Sequence, residues 1–319
     1  MNPLKSNQIY GNWATILLPI DKDDCIDYIK LAEEIDSLIS MGVNGIYSNG
    51  TAGEFYNQTE EEFDKISQLL ADKCNAAGMP FQIGCCHMSP KLSLEKLKRT
   101  VSLMPGAIQV ILPDWFPPTM DEVISFLFTM AEVADPIGLV LYNPPHSKKK
   151  LNPEDYYKIK NAGIPLVGCK VAAGDSNWYA TMKDLVPELS LFVPGHCLAT
   201  GISLGASGSY SNMACLHPQI AQQWYELMLT DMPRAIEFEK RIQFFMSKHI
   251  VPLITENKYS DPSIDKFLAA IVGWTDIGTR MRWPYRWIQF DDVSRIREIC
   301  KELLPEFFSL SGSVFDFTN

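Results

Sequence analysis

Lys170 closes the apolar run Pro165-Leu166-Val167-Gly168-Cys169, and Tyr142 closes an earlier one, Gly138-Leu139-Val140-Leu141, before Asn143-Pro144-Pro145 stops it. Two strand-like segments therefore each end on a reactive polar group. A lysine held against apolar neighbours loses the solvation of its charge, its pKa falls, and its free amine becomes a nucleophile toward carbonyl carbon. The five histidines (His87, His146, His196, His217, His249) form no HExxH and have no Cys-x-x-Cys partner, so neither a metal nor any other cofactor is expected. The eight cysteines are scattered apart from Cys85-Cys86 and read as reduced, mostly buried thiols.

The elements that must position these groups follow from the hydrophobic pattern. Short β-rich runs alternate with amphipathic helical segments, as repeated βα units do. Expected strands are 14–18, 45–48, 81–84, 108–112, the run ending at Tyr142, the run ending at Lys170, 191–193 and 207–211. Expected helices include 25–39, 59–75, 89–103 and 120–134, with Asp24, Thr59, Ser89 and Thr119 placed as caps. Eight such units predict an α/β fold of the (β/α)8 TIM-barrel type, which puts Lys170 and Tyr142 on the face where barrel enzymes carry catalysis. The alternative, an open doubly wound sheet, lacks a phosphate-cradling glycine loop after any strand. Beyond His217 the pattern is helix upon helix (218–229, 233–249, 263–272, 291–304), so we divide the chain into a catalytic barrel, 1–216, and a C-terminal helical domain, 217–319. The basic and aromatic stretch Arg280 to Trp287 between the last two helices is expected to pack domains or join subunits.

Bulk properties narrow the function class. A chain of 319 residues with 46% hydrophobic content can bury a large core, and its formal net charge of -10 argues against nucleic acid or an anionic membrane as partner. Nothing after Met1-Asn2-Pro3-Leu4-Lys5-Ser6 reads as a signal peptide or a membrane span, which predicts a cytoplasmic location.

Four motifs in order, Gly50-Thr51-Ala52-Gly53-Glu54, Tyr142-Asn143-Pro144-Pro145, Val167-Gly168-Cys169-Lys170 and Gly205-Ala206-Ser207-Gly208-Ser209, resemble the signature set of the dihydrodipicolinate synthase and N-acetylneuraminate lyase superfamily. The resemblance extends over nearly the whole chain. It implies a class I aldolase or lyase, commonly a homotetramer, acting through a lysine Schiff base on pyruvate or another small-molecule 2-oxo acid. On that resemblance Lys170 forms the imine, Tyr142 shuttles the proton, and Thr51 orients the phenol. The turn Thr51-Ala52-Gly53 offers backbone N–H groups to the substrate carboxylate. His196 is a further candidate to touch substrate, whereas Glu54, after a glycine turn, reads as structural.

The departures from that family speak to substrate. The synthase branch carries a tyrosine pair where this chain has Asp114 and Trp115, and an arginine where it has Ser147; Lys148 beside it offers a point charge without a bidentate fork. Ala52 replaces a second hydroxyl residue, at a cost on the order of 1.5–3 kcal/mol in lost carboxylate binding. Bulky Trp115 and Tyr210 are expected to reshape the pocket toward a sugar-acid or aromatic-aldehyde adduct. The expected activity is cleavage or formation of a C–C bond next to a 2-oxo acid of the sialic-acid or keto-deoxy-sugar-acid kind. Alternatives are a synthase-type condensation, a sugar-acid dehydratase using the same imine, and a non-catalytic homologue that binds a small anion or regulates.

Overall fold

In the computed structural model, which describes residues 1–309 and Phe315, eight parallel strands close into a barrel in sequence order. They are β1 Gly11–Thr15, β2 Gly45–Ser48, β3 Phe81–Gly84, β4 Ala107–Ile111, β5 Leu139–Asn143, β6 Leu166–Val171, β7 Ser190–Phe192 and β8 Gly208–Tyr210. The helices between them are α1 Tyr28–Ser40, α2 Glu60–Ala77, α3 Pro90–Thr100, α4 Met120–Ala134, α5 Pro153–Asn161, α6 Ser176–Leu185 and α7 Leu198–Leu204. After β8 the chain runs through α8 Asn212–Leu216, α9 Pro218–Thr230, α10 Met232–Phe245, α11 Val251–Thr255, α12 Asp261–Val272 and α13 Phe290–Leu303. The expected (β/α)8 barrel with C-terminal helices is the fold of this chain. No helix of the described residues is long and apolar enough to cross a membrane.

Alternation along the strands builds two apolar layers. One fills the barrel with Trp13, Tyr47, Val140, Phe192 and Tyr210 among others, and its rings meet edge-on, as at Trp13–Tyr210 with centroids 6.0 Å apart. Trp13 fits because its neighbour across β1 and β2 is Gly45, where a Cβ would lie 2.6 Å from the indole. The second layer, between strands and helices, runs as one cluster from Ala14 to Phe307 and includes α9, α10, α12 and α13. The helices beyond residue 217 thus share their core with the barrel.

Three elements depart from expectation, each for a physical reason. β1 lies at Gly11–Thr15 rather than 14–18, since Gly11 and Asn12 pair with Gly208 and Ser209 of β8. Ile16, Leu17 and Leu18 are buried beyond the ladder, where the Leu17 N–H donates to Glu34 at 2.8 Å. α1 starts at Tyr28 and is capped by Asp27, whose carboxylate accepts the Ile29 and Lys30 N–H groups. The expected cap, Asp24, sits at φ 65 in a turn closed by the Ile20–Ile26 bridge, and instead accepts from Arg282 and Trp283. The segment 233–249 divides into α10 and a π turn at Met246–Ile250 just before Pro252. Proline lacks the N–H and crowds the preceding turn, so the helix widens there. Arg282, in the basic and aromatic stretch, forks onto Glu62 at 2.8 Å twice and donates to the carbonyls of Asp24 and Asn57, holding this stretch against the start of α2.

Candidate active site

Lys170 and Tyr142 are register partners on adjacent strands β6 and β5, and both emerge at the C-terminal mouth of the barrel. Beneath them lies the aromatic interior. The Lys170 Nζ is 4.3 Å from the Tyr142 ring centroid, 5.1 Å from that of Tyr47 and 5.4 Å from that of Tyr210. Its hydrogen-bond partner is the Tyr47 hydroxyl, at 3.4 Å. Loss of water around the ammonium draws its pKa down to about 8, against the opposing pull of Asp265. A fraction of the amine is therefore free near neutral pH.

The Tyr142 hydroxyl accepts from Thr51 Oγ1 at 3.3 Å. Burial pushes that phenol up to about 12, with the Thr51 hydrogen bond working in the opposite direction. Thr51 stands on a turn set between two residues in the left-handed region, Asn49 at φ 54 and Glu54 at φ 52, a conformation that costs of order 1–3 kcal/mol each and needs outside support. That support is visible. Asn49 bonds Ser67 at 3.0 Å and Gln58 at 3.1 Å, and Glu54 pairs with Lys266 of α12 at 2.5 Å, both side chains fully buried. Among the described residues the amides of Thr51, Ala52 and Gly53 have no protein acceptor; the turn is closed by the Glu54 and Phe55 N–H groups.

Of the residues expected from sequence, Lys170, Tyr142, Thr51, Ala52, Tyr210 and His196 line one chamber of about 290 Å³. Tyr210 presents its ring there, while its hydroxyl donates to Gln82 at 2.7 Å in the barrel core. His196 pairs with Asn212 at 3.0 Å through Nδ1, and burial lowers its pKa, so it lines the chamber as a neutral ring. Ser147 lines a second, outer chamber of about 430 Å³ whose walls are Phe55, Tyr56, Tyr259 and Tyr285; Thr51, Tyr142, Pro144 and Asp261 border both. Two expected residues are elsewhere. Gly53 sits behind the turn, its carbonyl accepting from Gln58 at 2.7 Å. Trp115 is 72% exposed and borders neither chamber, because the loop after β4 turns outward there. Its carbonyl takes the Lys148 ammonium at 3.0 Å and Asp114 takes the Lys148 N–H at 2.9 Å, so that cation is held away from both chambers.

Sequence reasoning missed Tyr47, Asp261, Asp265 and Cys215, which also line the inner chamber. Tyr47 was hidden inside a strand that reads as buried throughout. Asp261 and Asp265 lie one turn apart at the start of α12, in a segment assigned only to helical packing. The one available signal was a pair of carboxylates at i, i+4 in a helix whose only other charged residue is Lys266.

The family model described as the dihydrodipicolinate synthetase family matches residues 8–312. An uncharacterised DapA-like lyase of Halobacterium salinarum is 23% identical over 220 residues, covering 68% of this chain and 71% of its own. N-acetylneuraminate lyase of Escherichia coli is 23% identical over 207 residues, 64% of this chain and 68% of that protein. Among solved structures, YagE from E. coli K12, of the dihydrodipicolinic acid synthase family and in complex with pyruvate, superposes with a TM-score of 0.81 at 18% identity, covering 92% of this chain and 98% of that one.

Proposed function

Since the chain belongs to the dihydrodipicolinate synthetase family, whose curated relatives include lyases, we propose that it is a Schiff-base 2-oxo-acid aldolase or lyase. The observation that carries this reading is the Lys170 amine, drawn down to about 8 and set 4.3 Å from the ring of Tyr142. In the proposed reaction, the free amides of Thr51 and Ala52 hold the substrate carboxylate. The Lys170 amine attacks the neighbouring keto carbon, water leaves, and the iminium becomes the electron sink for the adjacent C–C bond. Tyr142, oriented by Thr51, relays the proton to and from the oxygen that leaves the keto carbon.

The aldehyde half of the substrate then occupies the outer chamber. No Lys or Arg lines that chamber, and Lys148 is held on Trp115. A second substrate carboxylate would find no cation there, which disfavours the synthase-type condensation and supports a neutral, hydroxylated partner of the sugar-acid kind. A homo-oligomer in the cytoplasm completes the proposal.

Borohydride trapping tests it. Intact-protein mass after incubation with pyruvate and borohydride is expected to rise by one reduced pyruvate adduct in the wild type and not in Lys170→Ala. A wild type that forms no adduct with pyruvate or with any 2-oxo sugar acid would move the chain to the non-catalytic reading.

A further inference from the structure

α12 brings to the inner chamber a carboxylate that the fold does not use. The buried carboxylates elsewhere are committed: Glu34 accepts the Leu17 N–H, Glu239 holds the N–H and hydroxyl of Thr200, and Glu54 pairs with Lys266. Asp265 makes no ion pair among the described residues; the nearby thiol of Cys215, a weak donor, also reaches the carbonyl of Ser211 at 3.8 Å. Its position is nonetheless fixed, because the next residue, Lys266, is locked to Glu54 below the Thr51 turn and to the carbonyl of Arg280 at 2.8 Å. Of the charged groups near the Lys170 ammonium, Asp265 acts on it most strongly.

We propose that Asp265 is a second acid–base residue of this site, moving the proton on the carbon next to the imine carbon. This rests on the Lys170 imine reading and extends it. Once the Lys170 Nζ has formed its bond to the keto carbon and water has left, the Asp265 carboxylate takes a hydrogen from the adjacent carbon. The C–H electron pair becomes the C=C bond, and the C=N π pair returns to nitrogen, giving an enamine and a neutral carboxylic acid. In the reverse sense the acid returns its proton to the enamine after C–C cleavage. The substrate class is a 2-oxo acid with at least one hydrogen on that carbon.

Electrostatics suit the role. Burial and the neighbouring Asp261 lift the Asp265 carboxyl to about 7, with Lys170 and the Cys215 thiol pulling the other way. Both of its protonation states are populated at neutral pH, where a base and an acid are needed in turn. Tyr142, at about 12, is almost wholly protonated there. The titratable groups that share the inner chamber with Asp265 are Asp261 on its own helix, Lys170 on β6, Tyr47 on β2, Tyr142 on β5, Tyr210 on β8, Cys215 on α8 and His196 just before α7.

Exchange of the pyruvate methyl hydrogens in D₂O, followed by proton NMR, isolates this step without an aldehyde, and borohydride trapping run in parallel reports the imine. Asp265→Asn is expected to trap the adduct as the wild type does while its methyl exchange slows about 100-fold. Asp265→Glu, which keeps the carboxylate, is expected to restore part of the rate. Exchange at the wild-type rate in Asp265→Asn, or equal loss in both variants, overturns the assignment and leaves the Lys170 reading standing. A wild type without a trapped adduct overturns both.

Discussion

At Lys170 the competition is between burial, which removes the charge, and the carboxylates Asp265 and Asp261, which restore it; burial wins. The consequence for rate has a definite sign. The nucleophile is the free amine, so adduct formation with pyruvate is expected to fall about tenfold per pH unit below 8 and to level off above it, measured by quenched borohydride trapping. Stability follows the same group in the opposite sense from an ion-paired lysine. The folded pKa lies below the unfolded value of about 10.4, so the charged form is penalised only in the fold. The penalty is complete below pH 8 and vanishes above the unfolded pKa. Lys170→Met is therefore expected to raise the melting temperature at pH 7, with the gain shrinking toward pH 10.5. Tyr142→Phe should still trap an adduct, slowly, yet lose most turnover. Lys170 and Tyr142 were legible because each ends an apolar run, where a polar group stands out. Asp265 was not, since its approach to them is made by a helix that no local pattern ties to β6.

The turn after β2 and the helix α12 are held to each other by the fully buried Glu54–Lys266 pair. Removing one partner leaves a buried charge uncompensated, so Lys266→Met is expected to destabilise the fold by about 3–5 kcal/mol. It should also weaken imine formation through the Thr51 turn and slow methyl exchange through Asp265, since the same pair positions both; denaturant melts, trapping rates and exchange rates on one preparation check this. The reading of Glu54 as a loop-holding carboxylate came from its place after a glycine turn, but its partner lay far along the chain and carried no sequence mark. Helix starts were readable where the cap is local. Thr59 accepts the Glu62 N–H at 3.2 Å while Glu62 accepts the Thr59 N–H at 2.8 Å, and Thr59→Ala should cost about 1 kcal/mol. At α1 the cap moved to Asp27 because Arg282, from the far end of the chain, recruits Asp24.

Across the whole molecule the change from alternating strands and helices to helices alone is real, and we keep 1–216 and 217–319 as a proposed division by chain type. The packing argues against two folding units. Ile220, Trp224 and Met228 of α9 are almost wholly buried in the same cluster as the barrel helices. Trp274 donates its indole N–H to the carbonyl of Cys215 at 2.8 Å, and Lys266 reaches back to Glu54. Hydrophobic periodicity identified these helices but held no information about which barrel strand they cover, since that is fixed by contacts between distant parts of the chain. The expected outcome in calorimetry is one cooperative transition whose van't Hoff and calorimetric enthalpies agree. A chain ending at Leu216 should lose near-UV circular dichroism and bind hydrophobic dyes, because the faces that α9 and α12 cover would be left in water. Two resolved transitions in the full chain, or a native-like spectrum from the shortened one, would instead make the barrel a unit that folds alone, and would make the helix carrying Asp265 an addition to it.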